Sequence, residues 1–183
     1  MDQVEENRRQ NPYTYENEID NYKQDHFQLH WNEKINNYWS FNLGLNYTDG
    51  RGYFEQYKED DDINTYGGIV KSDIDNNGQE TGTTDLIRRR WLDNDFYVLN
   101  SSINYIKDKI DLTLSSSYSS YVGDHYGEVI WARSLSNTGE IRDRYYEGLG
   151  EKKDLSFFAK LLYSINKKTE LYTDIQFLSL IHI

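Results

Sequence analysis

The stretch Tyr38–Tyr57 constrains this chain more than any other. It reads Y-W-S-F-N-L-G-L-N-Y-T-D-G-R-G-Y-F-E-Q-Y, and its first half alternates strictly. Trp39, Phe41, Leu43, Leu45 and Tyr47 fall at one parity; Tyr38, Ser40, Asn42, Gly44 and Asn46 fall at the other. A β-strand sends successive side chains to opposite faces, so this segment has one apolar face and one small, uncharged polar face. Fully extended, its twenty residues span roughly 66 Å at about 3.3 Å per residue. A tilted bilayer crossing takes only about 9–11 residues. The expectation is therefore a strand whose first half crosses a membrane and whose Gly50–Tyr57 half stands outside it. A half-buried strand of a soluble β-sandwich is the competing reading of the same alternation.

The remaining chain repeats the pattern. Phe27, Leu29 and Trp31 alternate with Gln24, His26, Gln28 and His30 along Asp20–Trp31, after a polar lead with an Asn11-Pro12 turn. Tyr97, Leu99, Ser101, Ile103 and Tyr105 share a face, as do Ile110, Leu112, Leu114 and Tyr118. Leu155, Phe157, Ala159, Leu161, Tyr163 and Ile165 do the same, followed by Leu171, Thr173, Ile175 and Phe177. Short polar turns near 32–37, 106–109 and 166–168 join these strands in pairs. Long polar loops are expected near 59–84 and 119–153, the second with extended pieces around Tyr126–Arg133 and Arg144–Tyr146. Short turns on one side and long loops on the other are the organisation of outer-membrane barrels. A sandwich has shorter strands with turn signals every 8–12 residues or so. The fold expected is all-β, an antiparallel meander of about six long strands. Six strands leave two open edges, which hydrocarbon does not tolerate, so the sheet is read as a section of a larger barrel.

Composition agrees with that reading. No run approaches eighteen apolar residues, so no transmembrane helix is expected, and alternation hides a barrel from any hydropathy window. Seventeen tyrosines outnumber the eleven Phe and Trp together, which suits positions with one oily and one wet side. A single proline permits long ladders. A net charge of −11 argues against a nucleic-acid partner. The chain has no cysteine, which removes thiol chemistry and zinc-thiolate sites. Met1-Asp2-Gln3-Val4-Glu5-Glu6 is acidic and lacks the apolar core of an export signal, and Met1 is the sole methionine. The expectation is a piece of a longer protein.

Several motifs resemble the TonB-dependent receptors of gram-negative outer membranes. They are Y-T-Y-E-N-E-I-D-N-Y-K-Q-D-H-F-Q-L-H-W at Tyr13–Trp31, G-R-G-Y-F-E-Q-Y-K-E-D at Gly50–Asp60 and T-D-L-I-R-R-R-W-L-D-N-D-F-Y at Thr84–Tyr97. G-D-H-Y-G-E-V-I-W-A-R at Gly123–Arg133 and D-R-Y-Y at Asp143–Tyr146 belong with them. The resemblance runs from about Asn11 to Phe177, and residues 1–177 are read as part of the receptor barrel. It implies a transmembrane barrel of about 22 strands around an N-terminal plug. It also implies energy-coupled uptake of a scarce nutrient, such as a ferric siderophore, cobalamin or an oligosaccharide, with TonB as the periplasmic partner of the whole receptor. Outer-membrane lipid and lipopolysaccharide would surround the wall. This chain lacks the plug and the energy-coupling box, so it should transport nothing by itself. Leu178-Ser179-Leu180-Ile181-His182-Ile183 matches, in one reading frame, the mosaic-end adaptor of transposase-based sequencing libraries. Those six residues are read as an added tail and left out of the fold reasoning, with simple continuation of the sixth strand as the alternative.

Candidate contacts cluster in the long loops and the strand ends that enter them. Glu59-Asp60-Asp61-Asp62 can gather calcium or a cationic ligand, although its spacing is not an EF-hand and a charge run is more often a solvated loop. Arg88-Arg89-Arg90 can grip phosphate or carboxylate, or can pair structurally with Asp93, Asp95 or the acidic loop. Tyr53, Phe54, Tyr57, Tyr66 and Trp131 can line a ligand vestibule, or pack as interfacial aromatics. The ligand-contact set is thus Tyr53, Tyr57, Asp60, Asp61, Asp62, Arg88, Arg90 and Trp131. His26 and His30 lie four residues apart, about 13 Å along a strand, too far to chelate one metal alone. No cofactor, no resident metal site and no catalytic signature is expected; Ser, His and Asp lack a nucleophile-elbow context, and Asp124 and Glu128 do not make an acid/base pair. A soluble glycan-binding β-sandwich, with Tyr and Trp as sugar platforms, is the alternative function.

Overall fold

A computed structural model describes residues 15–182, with side chains through residue 180. The Asn11-Pro12 turn lies outside the described residues. Six strands form one antiparallel sheet in chain order: β1 (Asp20–Lys34), β2 (Trp39–Asp62), β3 (Thr83–Lys107), β4 (Ile110–Ala132), β5 (Arg144–Asn166) and β6 (Thr169–His182). A 3-10 helix, Ile63–Tyr66, follows β2.

Two of the three short connections are built by side chains that satisfy their own backbone. Asn36 Oδ1 accepts from the N–H of Tyr38 and of Trp39, and Asn166 Oδ1 accepts from the N–H of Lys168. Asp108 takes the left-handed conformation, φ 50°, which aspartate tolerates better than most residues.

One expectation is corrected. The second long loop is confined to residues 133–143, because β4 and β5 continue through most of the stretch expected near 119–153 to be loop with extended pieces only around Tyr126–Arg133 and Arg144–Tyr146. The last described residues pair within the sheet: Leu178 lies opposite Ser156, Ser179 opposite Leu155 and Leu180 opposite Asp154, and pairing persists to His182 opposite Lys152.

The residues divide into two compact units. Lys23–Arg51, Asp93–Asp124 and residues 149–182 form a turn-end unit. Rings line up across its strands: Phe27 with Tyr47 at 5.9 Å, Tyr47 with Tyr97 at 4.8 Å, Trp39 with Tyr105 at 4.6 Å and Phe157 with Phe177 at 6.3 Å. These contacts place the apolar parities of the strands on one face. That face is not covered. Phe27, Leu29, Trp31, Ile175 and Phe177 are 53–72% exposed, and no hydrophobic side chain of this unit is buried among the described residues.

Residues 15–22, Gly52–Leu92 and His125–Gly148 form a loop-end unit. It holds a small core of Tyr66, Ile69, Val70, Leu86 and Val129, flanked by Ile63, Ala132, Leu135 and Tyr145. The two long connections pair with each other there. Val70 bridges Leu135, Lys71 N–H donates to Ser134 O at 3.1 Å, and Ser136 N–H donates to Ile69 O at 3.0 Å. Gly52 lets β1 begin close by, since a Cβ on it would meet Tyr22 Cα at 2.6 Å. Gly52→Ala is expected to destabilise this contact by about 1–3 kcal/mol. Faster hydrogen exchange at Glu55 N–H, which donates to Ile19 O, would report it.

Candidate functional site

The expected ligand contacts all lie in the loop-end unit, but most are committed to holding it together. Tyr53 packs on Trp91 at 4.7 Å, with the Arg89 guanidinium 4.1 Å above its ring. Tyr57 donates to Asp85 Oδ2 at 2.7 Å. The three adjacent aspartates have three tasks. Asp60 adopts φ 48° and donates its N–H to Asp85 Oδ1; Asp61 accepts from Tyr66 Oη at 2.6 Å; Asp62 caps the 3-10 helix by accepting from Asn64 N–H at 2.9 Å. Among the described residues no group of three His, Cys, Asp or Glu side chains converges on a point that a metal ion could occupy.

Alternation splits the three arginines. Arg88 donates to Gln56 Oε1 at 2.9 Å and to Tyr66 Oη at 3.2 Å, and lies 3.9 Å from Asp61. Arg89 pairs with buried Glu55 at 2.7 Å. Arg90 donates to Tyr146 Oη at 3.4 Å and is exposed. Of the two pairing schemes open in the sequence, Arg88 thus meets the acidic loop, whereas Asp93 pairs with Arg51 and Asp95 accepts from Tyr47 Oη. Trp131 is 44% exposed. Asp60, Asp62, Arg90 and Trp131 are the exposed members of the set.

The centre of this unit is a group that the sequence did not single out. Asp85, 3% exposed, accepts from Tyr57 Oη, from Asp60 N–H at 3.0 Å and from Arg133 Nη2. Arg133 also reaches Asp73 Oδ2 at 3.3 Å, and Asp73 Oδ1 accepts from Thr84 Oγ1 at 3.0 Å and Ser134 Oγ at 2.6 Å. Both long connections and two strands meet at these two carboxylates. Burial alone would raise the Asp85 carboxyl, but the Asp60 N–H, the Tyr57 hydroxyl and the Arg133 charge outweigh it and hold its pKa below the usual value. The bond to Asp85, then burial, pushes the Tyr57 hydroxyl up to about 12. Burial and then the bond to Asp61 raise Tyr66, opposed by Arg88. The available signal was a lone carboxylate between Thr84 and Leu86, both of which are buried.

In the turn-end unit the two faces differ sharply. The apolar face gathers Phe27, Leu29, Leu45, Tyr47, Tyr97 and Leu99 around an open depression. On it Ser101 Oγ and Ser116 Oγ lie 2.8 Å apart, and Tyr47 Oη donates to Asp95. The opposite face carries cross-strand polar bonds, His26 Nδ1 to Thr48 Oγ1 at 2.9 Å, Gln28 to Asn46 at 3.1 Å and Asn42 to Ser102 at 3.1 Å. It bounds a hollow of about 360 Å³ touched by five strands, with His30, Asn42, Asn100, Ser115 and Ser156 among its lining. His26 and His30 thus belong to a polar wall.

Comparison with protein-family models, with curated proteins and with solved structures gives no match to this chain.

Proposed function

We propose that this chain is a section of the wall of an outer-membrane barrel of the TonB-dependent receptor kind, in the outer membrane of a gram-negative cell. One observation carries the reading: the turn-end unit buries no apolar side chain among the described residues and leaves a many-stranded apolar face open. Contiguous apolar surface of that extent is disfavoured in water and marks a membrane or partner surface. Polar side chains occupy the other face, and aromatic rings border the apolar one, as lipid-facing barrel strands require. A glycan-binding sandwich needs a second sheet over that face, and the described residues make one sheet.

The motifs quoted above extend this to the receptor family. The whole receptor would take up a scarce nutrient such as ferric siderophore, cobalamin or oligosaccharide. TonB, engaging from the periplasm, would drive the plug aside. In this reading the chain contributes lipid-facing and lumen-facing wall, and the exposed Asp60, Asp62, Arg90 and Trp131 are its open ligand contacts. It performs no catalysis. The test is tryptophan quenching in vesicles with brominated acyl chains. In single-Trp variants of the full chain, Trp31 and Trp39 should be quenched strongly. A water-soluble monomer whose Trp31 and Trp39 emission ignores the brominated lipid would defeat the reading.

A further inference from the structure

We propose that Asn77 is a self-modifying site, whose side-chain amide is lost through a ring closed by the Gly78 nitrogen, at a rate set by Asp75. Of the asparagines in the chain, Asn77 alone precedes a glycine. In the reaction Gly78 N gives up its proton and attacks Asn77 Cγ. The N–Cγ bond forms, the Cγ–Nδ2 bond breaks, and ammonia leaves with the proton. Water then opens the cyclic imide at one of its two carbonyls, leaving aspartate or isoaspartate at position 77. A water is consumed and an ammonia released, with no oxidant, metal or cofactor. A side chain on the following residue crowds the attacking nitrogen, and glycine has none.

Asn77 and Gly78 form the tip of a small hairpin inside the first long connection. Ile74 bridges Glu80, Asp75 N–H donates to Gln79 O at 2.8 Å, and Thr81 N–H donates to Asp73 O at 3.0 Å. Residues 76–80 are exposed, so water reaches the amide. Gly78 sits at φ 79°, a conformation that side chains disfavour. The turn that calls for glycine thus creates the reactive pair. The same turn restrains it. Asp75 Oδ1 accepts from Asn77 N–H and from Gln79 N–H, each at 2.8 Å, and Asp75 O accepts from Gly78 N–H at 3.0 Å. The attacking nitrogen is engaged, and the amides on either side of it are pinned to one carboxylate. The Gln79 N–H and then the Asn77 N–H hold that carboxyl below its usual pKa, so it is ionised and fully gripping at neutral pH. The tip must therefore open before attack, which makes Asp75 a positioning residue that times the reaction. The product ends the restraint. It adds a negative charge two residues from Asp75, and isoaspartate inserts a backbone methylene that draws the Gly78 and Gln79 amides off their acceptors. Asp73, at the hairpin base, keeps its own bonds to Thr84 and Ser134, so the change is confined to the tip.

Peptide mapping by mass spectrometry follows positions 76 and 77 in the full chain, folded in phosphatidylcholine vesicles and held in warm, mildly alkaline buffer. Asn77 should convert, and Asn76, which precedes an asparagine, should convert severalfold more slowly. No conversion at position 77, or equal rates at both positions, would overturn the site. Asp75→Ala should speed the folded chain severalfold, toward its rate in urea. Asp75→Asn keeps an acceptor oxygen and should restore most of the delay. Equal rates in the folded chain, in Asp75→Ala and in urea would overturn the timing role. So would a rise in hydrogen exchange at Ser136 N–H matching the gain in conversion, since the whole loop-end unit would then have opened. Gly78→Ala is compared with the parent chain in urea, where folding plays no part. It should convert severalfold more slowly, and an equal rate would remove the part assigned to glycine. The reaction needs only water, so neither outcome bears on the lipid assignment.

Discussion

Leu29→Arg is expected to lose about 2–4 kcal/mol of folding free energy in a bilayer, the cost of a guanidinium on the lipid face of a barrel strand near the midplane. Its neighbour Gln28 supplies the control. Gln28 bonds Asn46 on the polar face, and Gln28→Arg should stay within about 0.5 kcal/mol because the charge there meets water. Urea titration of the vesicle-folded chain measures both. The contrast tests more than stability. If the apolar face were meant for water, Leu29 at 60% exposure would be an ordinary surface residue. Arginine would then cost little and improve solubility. Equal effects of the two substitutions would therefore remove the membrane assignment.

Asp85→Ala should loosen the loop-end unit by about 2–3 kcal/mol. It strips an acceptor from Tyr57, from Asp60 N–H and from Arg133. The cost stays below that of a fully buried ion pair, because the Arg133 side chain is 57% exposed and can turn to solvent. Hydrogen exchange at Lys71 N–H and Ser136 N–H, which tie the two long connections together, should accelerate roughly 30- to 150-fold. Unchanged exchange would mean that the small apolar core alone holds these loops. Acid should imitate the substitution. The Asp85 carboxyl ionises at lower pH when folded than when unfolded, so its stabilisation is complete above the ordinary carboxylate range. It fades below about pH 4, as pH falls through the folded value. Tyr57 acts at the other end. Its pKa is raised to about 12, so its contribution is whole below about pH 10 and is lost as pH climbs toward that value. The Asp85→Ala variant should show neither limb as steeply.

The turn-end strands were legible because their information is local. Alternation at Trp39–Tyr47 or Leu155–Ile165 needs only neighbours in sequence, and Asn36 and Asn166 mark the turns by bonding their own backbone. The loop-end unit is written differently. The partners of Asp85 lie 25, 28 and 48 residues away, and no period along the chain brings them together. The same gap explains the candidate site. Asp60, Asp61 and Asp62 look alike as a run, yet backbone direction gives each its own partner. Arg88 and Arg89 are adjacent, yet alternation sends one to Gln56 and Tyr66 and the other to Glu55. An extended piece was legible around Tyr126–Arg133, but the unbroken strand through Ser119–Ala132 was not, because its end is held by bonds such as Trp91 Nε1 to Glu128, which periodicity of apolar residues cannot register.

A face with no interior behind it also changes how the chain can drift. Close packing makes a buried residue answer to the shape of its neighbours, which is why one methylene is felt in a core. Phe27, Leu29, Ile175 and Phe177 have no such opposing jigsaw. Any bulky hydrocarbon side chain serves there, so those positions should interchange freely among Leu, Ile, Val and Phe across descendants. Asp85, Glu55 and Leu86 should stay put. Two rates of substitution, alternating with residue parity in one half of a strand and ignoring it in the other, would be the evolutionary imprint of a sheet that answers to oil over part of its length and to its own side chains over the rest.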